Sequence, residues 1–527
     1  MACAQSAESG DSNYLIYSLM AVAILIFFFL LVQVSDNLLA IEAKQSGADK
    51  DGANFGIFPS LSEIFAPKLP DYTVNKKVHS LSKGHDILLE GGVTSNDVHP
   101  ANVKTFAVQP KNFTGLSPIP KVVREVGATV KAGDHLFYDK KDPEVMHVAP
   151  VSGEVIAINR AEKRSIAEIV ILADKEQSYR SLDVVDLEKA TREELVSFLL
   201  DSGAWPLIRQ RPFNIVPSQT EVPRDIFIST FDTAPLAPNS NVVVAGKEVA
   251  FQKGLDVLNK LTEGTVYLGV SANGEEAPSD AYANAKGVDI HYFKGKHPSG
   301  NVGVQIHHIQ PINSGDKVWT LGVQEVITIG RLFTEGRYNA ERVVAVTGAE
   351  LSNPKYVSTK LGANMGDLLT DNITGDNNRI VSGDVLTGQK KETTQYLDVF
   401  DDQITVLQEG DYYEMFGWLI PVDPRPSISN TFPNFLFPDL KFRANTNTHG
   451  ERRAFVVTGQ YESVLPMDIY PQHLMKAILV KDFERMEGLG ILELVEEDVA
   501  LCEFVCTSKQ PLQQILKEGL DIVRDQS

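Results

Sequence analysis

The side chains best able to do chemistry are few and scattered. Cys502 and Cys506 stand four residues apart in LCEFVCTSK, a spacing that puts both thiols on one face of a helix. There they could share a metal ion or rest as packed thiols. His307 and His308 are adjacent, with His291 and His297 a little upstream. The run VGVQIHHI reads as a strand, and neighbouring strand residues face opposite sides, so the pair cannot ligate one ion from one side. Gly246-Lys247 has the ending of a phosphate loop, but Asn241 stands at the first glycine position and Glu248 replaces the Ser/Thr. No G-x-G-x-x-G follows a strand, so nucleotide binding has no basis in sequence. The 69 Asp and Glu residues include no compact pair marked for acid–base work, and a solvated face is the default.

What must position these side chains is a long acidic chain. Its 527 residues exceed what one core organises, and three or four domains are expected. A hydrophobic share of 43% and a charged share of 22% describe folded globular material. The formal charge of −20 removes nucleic-acid binding from the function classes, because phosphate needs a basic face. Three cysteines make no disulfide framework, as suits a reducing compartment. Near the N-terminus, Tyr14–Val34 is apolar almost throughout, and no charged side chain occurs from Ser12 to Ser35. An α-helix needs about 20 such residues to cross a hydrocarbon core. Glu8 and Asp11 precede the run and no Lys or Arg does, unlike a secretory signal peptide. Lys44 and Lys50 follow it, so the basic side is the inside and the body faces the cytoplasm. Cys3 reads as an ordinary free thiol.

Residues 1–35 thus form a tail and one transmembrane helix, and 36–76 a flexible linker of Gly, Ala, Asp, Lys and Pro. From 77 to 185, the runs VVREV, HLFYD, GEVIAI and AEIVIL, separated by turn residues, predict short antiparallel strands. VGATVKAGDHL followed by APVSGEV resembles the barrel-sandwich hybrid of biotinyl and lipoyl carriers. Lys140 falls near their modified lysine, but two extra residues before Pro150 and Gly153 imply a reshaped hairpin and a structural module. Residues 186–335 predict a Rossmann-like α/β domain. KATREELVSFLLDSG is a helix ended by Gly203 and GLDVLNKL another, while IFIST, NVVVAG, TVYLGV, VDIHYF and VGVQIHHI are apolar strand-like runs. Residues 336–400 resemble a soluble-ligand-binding β-grasp (SLBB-like) module, 401–460 read as a mixed β segment, and 461–527 as a helical domain with two amphipathic stripes. The fold class expected is multi-domain α/β and α+β, preceded by one transmembrane helix.

Four phrases lie in order: LSKGHDILLEG (81–91), LLDSGAWPLIRQRPF (199–213), FKGKHPSGNVGVQIHHI (293–309) and LELVEEDVALCEFVCTSK (492–509). Through them the chain from about residue 81 onward resembles the A-subunit family of sodium-translocating NADH:quinone oxidoreductases. The architecture recurs in the flavin-carrying NADH-binding subunit of respiratory complex I and in the C subunit of the Rnf complex. Those relatives hold a flavin phosphate in G-x-G-G-A-G-F-P, where bare backbone must approach the anion. Here Gly203, Ala204 and Pro206 keep the frame, but Asp201, Ser202 and Trp205 fill it. Their four-iron motif, C-x-x-C-x-x-C-x-x-x-C-P, matches here only at Cys502 and Cys506; Glu496, Val499 and Thr507 replace the rest.

The resemblance implies a bacterial inner-membrane complex that oxidises NADH, reduces ubiquinone and moves Na⁺ outward. NADH, flavins and the iron–sulfur cluster are expected on partner subunits, with no covalent cofactor here and no activity of the isolated chain. The chain is expected beside a membrane-embedded subunit, in the quinone-reducing stage. Trp205, Arg209, Arg211, Pro212 and Phe213 are the candidate quinone contacts, since rings can sandwich the head group and guanidinium can donate to its oxygens. A scaffold that touches no quinone is the alternative, and a flavin or iron–sulfur carrier of the Rnf type is disfavoured. Residues 1–76 precede the stretch that resembles the family and are expected to be an added tether.

Overall fold

The structure, a computed structural model, describes residues 8–46, 69–117, 119–274, 276–417, 424–428, 433–455 and 457–526. It divides into two units, residues 1–69 and residues 70–527. In the first, a single helix runs Glu8–Ser46. Its stretch Ile16–Asp36 has a mean hydropathy of 2.5 and none of it is buried. At about 1.5 Å per residue it spans roughly 30 Å, the thickness of a bilayer core. Leu38, Leu39, Ala40 and Ile41 continue the helix, so the linker expected from residue 36 is helical as far as Ser46. Residues 47–68 of that linker lie outside the described residues, and its end, 70–76, belongs to the second unit, with a 3-10 turn at Asp71–Thr73.

Among its described residues the second unit holds four sheets. A six-stranded sheet takes the order Lys77–Ser80, Asp289–Lys294, Val266–Ser271, Asp225–Ser229, Val318–Leu321, Arg209–Arg211. All neighbours are parallel except the last pair. Helices Glu248–Asn259 and Val323–Glu335 pack beside it almost backbone to backbone. A Cβ on Gly330 would lie 1.8 Å from the Ala250 carbonyl, so the approach needs glycine.

Two runs expected as strands are helices, Ser240–Val244 and Val302–Ile309. Asn239 caps the first, its side chain accepting from Asn241 N. In the second, Val302, Ile306 and Ile309 fall on one face, against Phe227, Ile312 and Val318. That i, i+4, i+7 face outweighs the alternating Val-x-Val-x-Ile pattern, which imitates a strand.

The barrel-sandwich part pairs a four-stranded sheet (Thr105–Val108, Ile166–Ala173, Gly153–Arg160, Thr129–Val130) with a three-stranded one (Lys121–Val122, His135–Tyr138, Met146–Val148). A second six-stranded sheet runs Gln389–Lys391, Asn378–Ser382, Gln403–Gln408, Glu341–Thr347, Lys355–Lys360, Val98–Pro100. The strand beyond residue 400 therefore lies in the same sheet as the segment before it. Residues 77–100 enter both six-stranded sheets before the barrel-sandwich strands begin at Thr105. The C-terminal helices Pro471–Leu479 and Leu512–Gln526 have a separate core, closed where Ile478 packs on Gly519.

Candidate functional site

The loop at 199–213 leaves helix Arg192–Ser202, which starts with a capping box. Thr191 Oγ1 accepts from Glu194 N, and the Glu194 carboxylate accepts the Thr191 N–H. Gly203, at φ 77°, ends the helix in a left-handed turn; a Cβ there would sit 2.4 Å from Val148. The amides of Gly203 and Ala204 donate back to Leu200 O (3.3 Å) and Leu199 O (3.1 Å). Amides spent on a helix end do not form a cradle for phosphate. Asp201 turns outward, where Arg180 binds it at 2.6 Å.

Trp205 is wholly buried. Its Nε1 donates to Pro217 O at 2.9 Å, and its ring meets Trp319 edge-on with centroids 5.3 Å apart. Arg211 is 2% exposed and forks onto two carboxylates, Asp498 at 2.8 Å and Glu497 at 2.6 Å. Burial works against its charge, but Asp498 and Glu497 more than offset it and lift its pKa. Pro212 is buried; Arg209 and Phe213 are half-buried. The Arg209 guanidinium lies over the Phe400 ring, 3.6 Å from its centroid. Phe213 adopts φ 80°, a conformation only an over-determined loop imposes on a phenylalanine. The five candidates are thus close in sequence but in successive elements, Trp205 opening the 3-10 helix Trp205–Leu207 and the others in strand Arg209–Arg211 and the turn after it: Trp205 and Arg211 are buried, while Arg209 and Phe213 are partly exposed. The acidic partners Glu497 and Asp498 and the stacking Phe400 were not singled out from sequence. They lie almost 200 or more residues further along the chain, with no local signal.

Cys502 lies in helix Ala500–Val505 and Cys506 just beyond it, both 1% exposed. Cys506 Sγ is 2.9 Å from Tyr461 Oη, and Cys502 Sγ donates to Tyr461 O at 3.8 Å. Burial raises the Cys502 pKa far above the usual thiol range, which keeps it a thiol. Among the described residues no group of three or more His, Cys, Asp and Glu is placed to hold a metal ion. The histidines disperse. His307 pairs with Glu493 at 2.8 Å, His308 with Pro466 O at 2.7 Å, and His297 with Thr233 at 3.1 Å. His291 meets His79 ring to ring, their nitrogens 2.8 Å apart. Lys140 is exposed in the loop between His135–Tyr138 and Met146–Val148. Gly246 N donates to Glu248, whose residue opens helix Glu248–Asn259, so the Gly-Lys pair belongs to a helix start.

A large cleft of about 1720 Å³ lies elsewhere, lined by described residues of the second six-stranded sheet, of the stretch from Tyr412 to Ser463 and of the C-terminal helices. No motif points to it; the only trace in sequence is the apolar, aromatic run from Tyr412 to Leu440 in an otherwise polar stretch.

Three domain descriptions match the chain: the NqrA N-terminal barrel-sandwich hybrid domain over residues 79–174, the NqrA second alpha/beta domain over 190–338, and the NQRA C-terminal domain over 343–393. The chain is similar to the A-subunit of the Na(+)-translocating NADH-quinone reductase from Saccharophagus degradans, 38% identical over 443 residues. That match covers 84% of this chain and 98% of the relative. It is likewise 38% identical over 447 residues to the protein of the same name from Alcanivorax borkumensis, with 84% and 98% covered. Among solved structures, an H2-reduced NAD+-reducing [NiFe]-hydrogenase matches with a TM-score of 0.31 at 12% identity, over 42% of this chain and 50% of that one.

Proposed function

The chain belongs to the A-subunit family of the Na(+)-translocating NADH-quinone reductase, an oxidoreductase complex, and from that premise we propose that it serves the quinone-reducing stage without a flavin, NADH or iron–sulfur site of its own. The observation that carries this reading is the closed state of the 199–213 loop. Its first amides cap a helix, Trp205 fills the interior, and Arg211 is bound by Glu497 and Asp498. A flavin phosphate would find the Gly203 and Ala204 amides already bonded to the helix end and Arg211 already bound by two carboxylates. The two buried thiols, tied to Tyr461, speak likewise against a cluster.

Within that reading, Trp205, Arg211 and Pro212 form the rigid backing of a quinone site, and Arg209 and Phe213 are its contact groups. Arg209, held flat by Phe400, presents N–H donors to a quinone carbonyl, and Phe213 offers a ring face. The body lies on the cytoplasmic side of a bacterial inner membrane, as Lys44 and Lys50 beyond the apolar helix indicate. Its neighbours are the other subunits of the complex, the membrane-embedded one first among them. Burial of Trp205 and Arg211 favours a second reading, a scaffold that shapes the quinone site without touching it.

Photolabelling of the intact complex with a quinone azide separates the two. Label on the 199–213 peptide or around Phe400 is expected; label confined to other subunits would leave the scaffold. An absorbance spectrum of the purified chain is expected to be featureless above the aromatic band, and flavin or cluster bands would overturn the cofactor-free reading.

A further inference from the structure

The two arginines of strand Arg209–Arg211 are held in different ways. Arg211 is fixed by two carboxylates, whereas the side chain of Arg209 makes no hydrogen bond or ion pair among the described residues. Burial works against its charge, and Glu497, Glu325 and Asp401 oppose that from beyond contact distance. What fixes Arg209 is a ring: its guanidinium lies 3.6 Å from the Phe400 centroid. An arginine has several rotatable bonds to immobilise, so its donors point where that ring lets them. Whatever places Phe400 therefore places the donors of Arg209.

Phe400 is half-buried at the margin of the main core, and one turn of the barrel-sandwich part places it. Phe113 meets its ring edge-on, with centroids 5.9 Å apart at 74°. Asn112, the residue before, donates through Nδ2 to Asp398 at 2.7 Å and accepts from the Val399 N–H at 3.3 Å. Asp398 is in turn paired with buried Lys391 at 2.8 Å. Behind Phe113, itself buried, lie two more rings. His147 is 4.4 Å from Phe113 at 65°, and Phe137 stacks on His147 at 4.4 Å and 8°, the two being cross-strand neighbours. Burial pushes the His147 pKa down to about 3, so this ring is neutral at any working pH. A line of rings thus runs from Phe137 through His147, Phe113 and Phe400 to the Arg209 guanidinium. Close-packed interiors pass displacements on rather than absorb them.

We propose that Phe113, backed by His147 and Phe137, is a positioning residue for quinone reduction: through Phe400 it sets the direction in which Arg209 offers its N–H donors. The inference rests on the reading of Arg209 as a quinone contact and names what aims it. Phe113 itself touches no quinone. Losing its ring leaves Phe400 free to tilt, the guanidinium follows, and quinone then binds a group that must first be oriented. The effect falls on the quinone KM more than on kcat, because a donor to the carbonyl acts already in the bound ground state.

The test compares quinone KM and kcat in the intact complex for Arg209→Ala, Phe113→Leu, the two combined, and Phe251→Leu as a control. Phe251, likewise buried, meets Tyr282 edge-on in the α/β domain, so its loss costs packing without touching the line of rings. Phe113→Leu is expected to raise KM ~5-fold with a smaller change in kcat, and to add nothing once Arg209 is alanine. Phe251→Leu should leave KM alone. In the full chain, the Arg209 Nε–H proton, identified by its loss in Arg209→Lys, should lose its upfield ring-current shift in Phe113→Leu. Phe113→Met, closer in volume, takes the place of Phe113→Leu if that variant does not assemble. A KM raised by Arg209→Ala but not by Phe113→Leu would overturn this inference alone. So would an equal rise with and without Arg209, an equal rise in Phe251→Leu, or an unmoved Nε–H shift in a folded variant. A KM indifferent to Arg209→Ala would overturn the quinone reading of the loop and this inference with it.

Discussion

Arg211 shows how much one side chain in the 199–213 loop carries. It joins the α/β sheet to the C-terminal helical part through Asp498, whose side chain has no exposure. Removing the guanidinium would leave that carboxylate buried without a counter-charge. Arg211→Met is expected to cost about 3–5 kcal/mol of stability, and Arg211→Met with Asp498→Leu should recover most of it. Urea unfolding of the three proteins reads both values. A second residue gives a pH dependence. Burial, with Asp398 close by, pushes Asp401 up to about 7, while Ser382 Oγ donates to it at 2.5 Å. The folded state therefore holds a proton that the unfolded chain releases near pH 4. That contribution is complete below pH 4 and is lost as pH rises through 7, about 2 kcal/mol between pH 5 and 8. Asp401→Asn should flatten part of the slope in denaturation midpoints. Asp402, held up to about 6, and Glu497, held up to about 7, both chiefly by burial, keep the remainder. From sequence, the loop's composition was legible because Asp201, Ser202 and Trp205 are local facts. The partners of Arg209 and Arg211 were not, because ion pairing across hundreds of residues leaves no periodic trace.

At the level of elements, strand Lys77–Ser80 is held to the parallel sheet through Asp289–Lys294 and through the side chain of His79. That ring stacks on Phe293 with centroids 4.7 Å apart and shares a hydrogen bond with His291. Burial, then the neighbouring His291, His308 and Lys77, depress its pKa to about 4. The folded strand therefore needs neutral His79, and its stability is present above pH 6.5 and lost as pH falls towards 4. Hydrogen exchange, corrected for intrinsic rate, should show about tenfold less protection of amides 78–81 at pH 5 than at pH 7. His79→Phe should remove the difference. Elements with an unambiguous period were legible, among them helix Arg192–Ser202 with its Thr191 cap and Gly203 stop. Val302–Ile309 misled because valine and isoleucine at alternate positions satisfy both periods over eight residues. Only Phe227, Ile312 and Val318, contributed by other elements, decide between them.

For the whole molecule, the relatives match 98% of their length within 84% of this chain. The N-terminal helix Glu8–Ser46 precedes all three matched domains. As the proposed anchor it would raise the local concentration of the body against a membrane partner to roughly millimolar. Deleting residues 1–69 is expected to lower co-purification with the complex at dilute concentration while leaving quinone reduction per assembled complex within about twofold. Loss of activity in an assembled, truncated complex would show that the helix does more than anchor. The barrel-sandwich, α/β and β-grasp parts were readable from turn residues and apolar runs, since each carries its own local pattern. The crossing of residues 77–100 into two later sheets was not, because long-range pairing has no signature in a short strand.

That crossing also sets a schedule. Strand Lys77–Ser80 waits for residues 289–294, and Val98–Pro100 waits for 355–360. At about 5–20 residues per second, ribosomal synthesis of the intervening chain takes on the order of tens of seconds. The apolar helix leaves the ribosome before either partner strand exists, so it is free to meet a membrane while neither six-stranded sheet can yet close.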